Sequence, residues 1–152
     1  MMQPFLIDTR EQYDLCRAHG IEPLIDRRFP MDIRLRVSIQ RELFGCHHTP
    51  EENEKFYRWC WNHYPHICAE CMRPLHQYSA TYISHILTRG AHPEMAHDPR
   101  NVRILCFNHH NQYEHRTTRI RMRIYDDTER VINELKDDYL KIFPYLCENE
   151  KK

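Results

Sequence analysis

Cys68-Ala69-Glu70-Cys71 and Cys106-Phe107-Asn108-His109 are two donor pairs of identical internal spacing, separated by 34 residues (72–105). Two residues between paired donors make a tight turn that points both at one ion, and two such pairs supply the four ligands of a tetrahedral zinc. Zinc ribbons usually separate their pairs by roughly 15–20 residues. The longer span here has room for a hairpin and its loop, stapled at the base by the metal. Cys68, Cys71, Cys106 and His109 are therefore expected to form a structural Cys3His zinc site, although His66 or His76 can take the place of His109.

Between the pairs, residues 72–86 run through Pro74, Tyr78, Thr81, Tyr82 and Ile83 to Ser84-His85-Ile86, a β-branched and aromatic stretch expected to end in a strand. Residues 87–99 hold Gly90, Pro93 and Pro99 and read as a loop. A second short strand is expected over 102–105. From Cys106 or Phe107 the chain turns helical, with His110 and Glu114 on one face at i, i+4. Upstream, Asp8 or Thr9 can cap a helix to about His19, stopped by Gly20, with Thr9-x-x-Gln12 a possible capping box. A second helix spans 32–44 before Gly45. A third opens on Thr49, Pro50 and Glu52 and ends at Pro65. Its aromatic residues read as core rather than a base-stacking platform, and Cys16, Cys46, Cys60 and Cys147 as small buried hydrophobes. A last helix over 128–143 carries an apolar stripe through Val131, Leu135 and Tyr139. The expected fold is α+β: an N-terminal helical region (1–65), a zinc-stapled strand-loop-strand-helix core (66–116) and a C-terminal helical extension (117–152), packed as one domain.

The chain has 152 residues, 29% of them charged, and no formal net charge, which excludes a polycation. The charge is nevertheless segregated. Residues 84–125 carry seven arginines against three acids, whereas 126–152 carry eight acids against five bases. The positive excess coincides with the motif and suits a polyanion, though a short Arg-rich face is equally compatible with mere solvation. Acidic and basic residues interrupt 1–24, so no export signal is expected there, and no stretch is long and apolar enough for a membrane span. An odd number of cysteines, seven, fits metal binding in a reducing cytoplasm better than a disulfide framework.

His85, Asn101 and His110 are the residues with chemistry to offer. Phosphodiester hydrolysis needs a base to activate water and a divalent ion to neutralise the phosphate. Imidazole titrates near neutrality, so His85 is the candidate base. Asn101 can fix the loop and orient His85, or lend its carbonyl oxygen to the metal. His110, one turn into the helix, can hold the ion.

Over 66–116 the pattern Cys-x-x-Cys, Ser84-His85-Ile86, Asn101, Leu105-Cys106-x-x-His109-His110 resembles the HNH, or ββα-metal, endonucleases. Asp98-Pro99-Arg100-Asn101 gives it the flavour of the small phage NinG and endonuclease VII kind. The resemblance implies a ββα-metal core with His85 as general base, Asn101 as the motif's Asn and His110 as its last His. It implies cleavage of DNA with Mg²⁺, Mn²⁺ or Ni²⁺. Two positions depart from the family: His109 replaces its fourth Cys, and Ser84 replaces the Asp whose carboxylate ligates the catalytic metal. Serine is a poor hard-cation ligand. Either Asn101 and His110 hold a softer ion, or the chain is a catalytically degenerate zinc module that only binds nucleic acid. A structural interaction protein is the third alternative. Arg89, Arg100, Arg103, Arg116 and Arg119, followed by Arg121 and Arg123, are expected to meet backbone phosphates. His92, His97 and His115 read as exposed histidines of loop or helix.

Overall fold

The computed structural model describes residues 5–25 and 31–142. Strand β1 (Phe5–Leu6) leads into helix α1 (Arg10–Ala18), where Thr9 and Gln12 close the expected capping box. Strand β2 (Pro23–Leu24) pairs in parallel with β1. Helix α2 (Ile33–Phe44) begins at Asp32, whose carboxylate accepts from the backbone N–H of Arg34 and Leu35. It ends at Gly45, which has φ +94°. A Cβ there would collide with the Glu52 side chain, whose carboxylate accepts from the His47 N–H at 2.9 Å. Helix α3 (Pro50–His63) starts on Thr49 as expected and stops ahead of Pro65.

Strand β3 (Ile83–His85) and strand β4 (Val102–Ile104) form an antiparallel pair, with Ser84 opposite Arg103 and His85 opposite Val102. The first strand is much shorter than the composition of 72–86 suggests. Pro74 has no N–H to donate, and the Ser79 hydroxyl accepts from the Thr81 N–H to fold Ala80–Tyr82 into a 3-10 turn. Helix α4 (Phe107–Glu114) follows β4 directly, then the single turn α5 (Arg116–Arg119). Helix α6 (Tyr125–Leu140) starts three residues earlier than expected. The cause is Glu70, which sits between the first pair of cysteines. Its carboxylate accepts from the backbone N–H of Arg123 at 2.6 Å and of Ile124 at 3.1 Å, satisfying donors at the start of α6. The expected end of this helix at 143 lies outside the described residues.

The aromatic face of α3 is core, as expected. Phe56, Cys60 and Trp61 pack with Ile83, Val102, Leu105, Tyr113 and Met122. All three expected segments thus contribute to one cluster. A second cluster joins Val37 of α2 to Met95 of the β3–β4 loop and Leu135 and Tyr139 of α6, while a third joins Tyr13 and Cys16 of α1, and Ile7 and Ile25 just after β1 and β2, to Ile39 on α2. The architecture is mixed: helices around a small antiparallel sheet. Among the described residues, no helix is long and apolar enough to cross a membrane.

Candidate functional site

The two donor pairs converge. Residues 66–75 double back on themselves, with Cys68 N–H donating to Arg73 O and Leu75 N–H to His66 O, and Met72 at φ 62° makes the turn. The Ala69 N–H then donates to Ile104 O at 2.8 Å, docking the first pair against the end of β4. Cys106 is the N-cap of α4, and one turn of that helix brings His109 round beside it. One ligand atom from each of Cys68, Cys71, Cys106 and His109 lies within 4.8 Å of the others. Tetrahedral zinc with bonds of about 2.3 Å to sulfur and about 2.0–2.1 Å to nitrogen puts sulfurs roughly 3.8 Å apart and sulfur from nitrogen roughly 3.6 Å. The Cys71–Cys106 sulfur separation is 3.9 Å, and Cys68 Sγ to His109 Nδ1 is 3.6 Å. Cys106 Sγ to His109 Nδ1 is shorter, 3.2 Å, and the four atoms are close enough together to hold a metal, consistent with zinc. His66 is otherwise engaged: it stacks on Trp61 at 3.7 Å, with Nε2 2.7 Å from the Trp61 carbonyl. His109, rather than His66 or His76, is the histidine grouped with the three cysteines as a possible fourth donor.

Burial pushes the Cys68 thiol up, but N–H groups of Cys71, Cys106 and Glu70 aimed at its sulfur outweigh that and bring it down to about 7. The backbone therefore favours thiolate at this position before any ion binds. Cys106 moves the other way, raised by burial and by its sulfur neighbours.

His85 ends β3 with its ring near Phe56 and Tyr57. Its Nε2 lies 2.9 Å from the Ala96 carbonyl oxygen. A carbonyl only accepts, so Nε2 carries the proton and Nδ1 keeps its lone pair. Burial lowers the His85 pKa; the Ala96 carbonyl opposes this, and the charges of Arg89 and His110 add to the depression. Its surroundings thus favour the neutral imidazole, with the lone pair on Nδ1. His110 approaches from α4, its Nδ1 2.5 Å from Thr81 O and its Nε2 3.1 Å from the Glu114 carboxylate. Glu114 was assigned no role from sequence beyond sharing a helix face with His110; that i, i+4 relation was its signal.

Several expected site residues do something else. Asn101 is fully buried, and its amide is spent on the loop: Oδ1 accepts from Leu87 N–H at 2.8 Å, and Nδ2 donates to Leu87 O and Met95 O. It fixes the loop and is no ligand for a catalytic ion. Ser84 is buried and, by strand alternation, shares the face of its partner Arg103 rather than that of His85. Arg100 and Arg103 are each only 6% exposed. Arg100 binds Asp98 and Asp138, and Arg103 reaches Asp127 and the Ile124 carbonyl. Neither guanidinium is presented to a phosphate. Arg119 lies over the Tyr113 ring and donates to the Tyr113 carbonyl, and Arg123 is bonded to Ala69 and Glu70. Arg89, Arg116 and Arg121 remain exposed, Arg89 with one bond to the Tyr57 hydroxyl.

His97 is the largest departure. It is 5% exposed, with Nε2 2.8 Å from Asn53 Oδ1 on α3 and its ring against His48, Phe44 and Phe56. Burial, then the neighbouring His48, push its pKa down to about 4. His97 is therefore neutral in the native state, and its contribution to stability is complete above the ordinary imidazole value of about 6.5 and lost as pH falls toward 4. Wild type should lose roughly 2 kcal/mol more than His97→Gln between pH 7 and pH 5. Parallel urea titrations check this; equal losses in the two proteins would show that His97 titrates normally.

No family model, curated protein or solved structure matches this chain in the three comparisons made.

Proposed function

We propose that the chain is a metal-dependent endonuclease of the HNH, ββα-metal, type that hydrolyses phosphodiester bonds in DNA, with Cys68, Cys71, Cys106 and His109 holding a structural zinc. The observation that carries the proposal is His85: a half-buried, neutral imidazole, locked by Ala96 O in the tautomer whose Nδ1 is a base, with His110 close enough to bear on its charge. In the reaction, Nδ1 of His85 takes a proton from water as the water oxygen attacks phosphorus. The 3′-oxygen leaves and is protonated by solvent, giving 5′-phosphate and 3′-hydroxyl ends.

His110 Nε2 and the Glu114 carboxylate, 3.1 Å apart, would be the donors for a catalytic cation. Glu114 supplies the hard anionic oxygen that Ser84 does not, and imidazole beside it favours Mn²⁺ or Ni²⁺ over Mg²⁺. A cation bound there would neutralise charge on the scissile phosphate and the departing oxygen. Arg89, Arg116 and Arg121 are left as the phosphate contacts, and affinity resting on them falls as salt rises.

Plasmid nicking under Mg²⁺, Mn²⁺ and Ni²⁺ tests the proposal. His85→Ala should lower the rate by about a hundredfold or more, with zinc content unchanged. Glu114→Gln should raise the cation concentration needed for half-maximal rate. The acid limb of the wild-type pH–rate profile should fall below the ordinary imidazole value of about 6.5, because the His85 pKa is depressed. Salt-dependent DNA binding without cleavage under every ion would instead make the chain a zinc-stabilised binding module.

A further inference from the structure

The bond that makes His85 a base ends on a peptide unit that His97 helps to hold. The carbonyl that receives His85 Nε2 belongs to Ala96, and the nitrogen of that same planar peptide is His97's. Where that plane points is decided by what anchors the chain on either side. On one side stands Met95, buried between α2 and α6, with its carbonyl accepting from Asn101. On the other stand His97, anchored sideways into α3, and after it the buried Asp98, whose N–H closes back on Met95 O at 3.1 Å.

The His97 anchor is directional. Asn53 Nδ2 faces the His48 carbonyl at 3.4 Å, which turns Oδ1 toward His97. Oδ1 accepts only, so His97 must donate from Nε2. That leaves His97 Nδ1 buried with no partner among the described residues, a cost an apolar ring would not incur. A residue selected for packing alone among Phe44, Phe56 and His48 would be apolar. What the imidazole adds is one oriented bond from the β3–β4 loop to α3, applied at the peptide plane that fixes the His85 tautomer.

We infer that His97, through Asn53, is a positioning residue for His85: it sets the Ala96 carbonyl so that His85 carries its proton on Nε2 and presents Nδ1 to water. The inference rests on the endonuclease proposal for its catalytic meaning, yet the tautomer itself is measurable without any reaction. In ¹⁵N-histidine NMR spectra of the zinc-loaded full chain, His85 should be the Nε2–H tautomer in wild type. His97→Phe, which keeps the ring and removes the donor, should turn it into a mixture of tautomers. His97→Gln, which restores an amide donor, should recover the wild-type signal. Asn53→Leu removes the same bond from the other side and serves if the Phe substitution compromises folding.

On DNA, His97→Phe should lower kcat by about tenfold with KM within twofold, as for partners that orient a working histidine. An unchanged His85 tautomer in His97→Phe and Asn53→Leu overturns the inference whether or not the protein cleaves DNA. A shifted tautomer in a protein that never cleaves upholds the positioning and sinks the endonuclease proposal alone.

Discussion

Replacing Cys106 by Ser should abolish zinc binding and unfold 66–116, taking the start of α6 with it. Strands β3 and β4 share only three residue pairs, and an isolated two-stranded hairpin is marginal in water. The four donors close a loop of chain from Cys68 to His109, whose mouth is otherwise held by the Ala69–Ile104 bond and by the packing of Cys68, Ile104 and Leu105 into the main core. Structural zinc contributes apparent binding energies of about 10–16 kcal/mol near pH 7, as large as the whole stability of a typical domain. The damage extends beyond the hairpin because Glu70, inside the first pair, caps α6 and accepts Arg123. Wild type should carry one zinc per chain by mass spectrometry and Cys106→Ser none. Amide exchange should accelerate at Ile83–His85 and at Thr128, while Cys46→Ser, at a thiol that is exposed rather than buried as its sequence context suggests, keeps the metal. Full zinc stoichiometry in Cys106→Ser would remove Cys106 from the site.

Capping chemistry is local, which is why the starts at Thr9, Asp32 and Thr49 and the stops at Gly45 and Pro65 could be read from neighbouring residues. The donor pairs were legible for a similar reason: each is a four-residue unit. What could not be read depends on partners far along the chain. Glu70 caps a helix 53 residues later. Arg103 is taken by Asp127, 24 residues downstream, and Arg100 is held between its neighbour Asp98 and Asp138, 38 residues downstream, so arginines that look available for phosphate are structural. Charge segregation between 84–125 and 126–152 was a true signal, but much of it is spent internally, acid against base. His97 looks like a loop histidine because its Asn53 partner is 44 residues away on another element. For Asn101, both roles, loop fixation and metal ligation, were open until the amide was seen bonded to Leu87 and Met95.

Asp98→Ala should be the most destabilising substitution outside the zinc site, at about 3–5 kcal/mol. Asp98 is fully buried and takes four short contacts: Arg100 N–H at 2.9 Å, Arg100 Nε at 3.2 Å, Arg100 Nη2 at 2.9 Å and the Tyr139 hydroxyl at 3.0 Å, with Arg36 Nη1 4.0 Å away. Burial by itself raises the Asp98 carboxyl, but the guanidinium groups of Arg100 and Arg36 and the bonds from Arg100 outweigh it and hold it below the usual carboxylate range. A depressed carboxyl contributes stability that is present above its unfolded value of about 3.9 and lost as pH falls through the folded one, so the cost of Asp98→Ala should be flat from pH 5 to 8. Removing the acid takes away the one fully buried carboxylate that faces both Arg100 and Arg36 and leaves Arg100 with Asp138, which is where the cost comes from. The double variant Asp98→Leu with Arg100→Met removes the carboxylate together with the nearer of its two cations, leaving Arg36 in place, and should therefore cost less than Asp98→Ala alone, since one buried cation rather than two loses its acid. Urea unfolding of the single and double variants decides it. A double variant less stable than Asp98→Ala would mean that the Arg100–Asp138 bond to α6, at 2.6 Å, carries the attachment of the loop rather than the Asp98 pair.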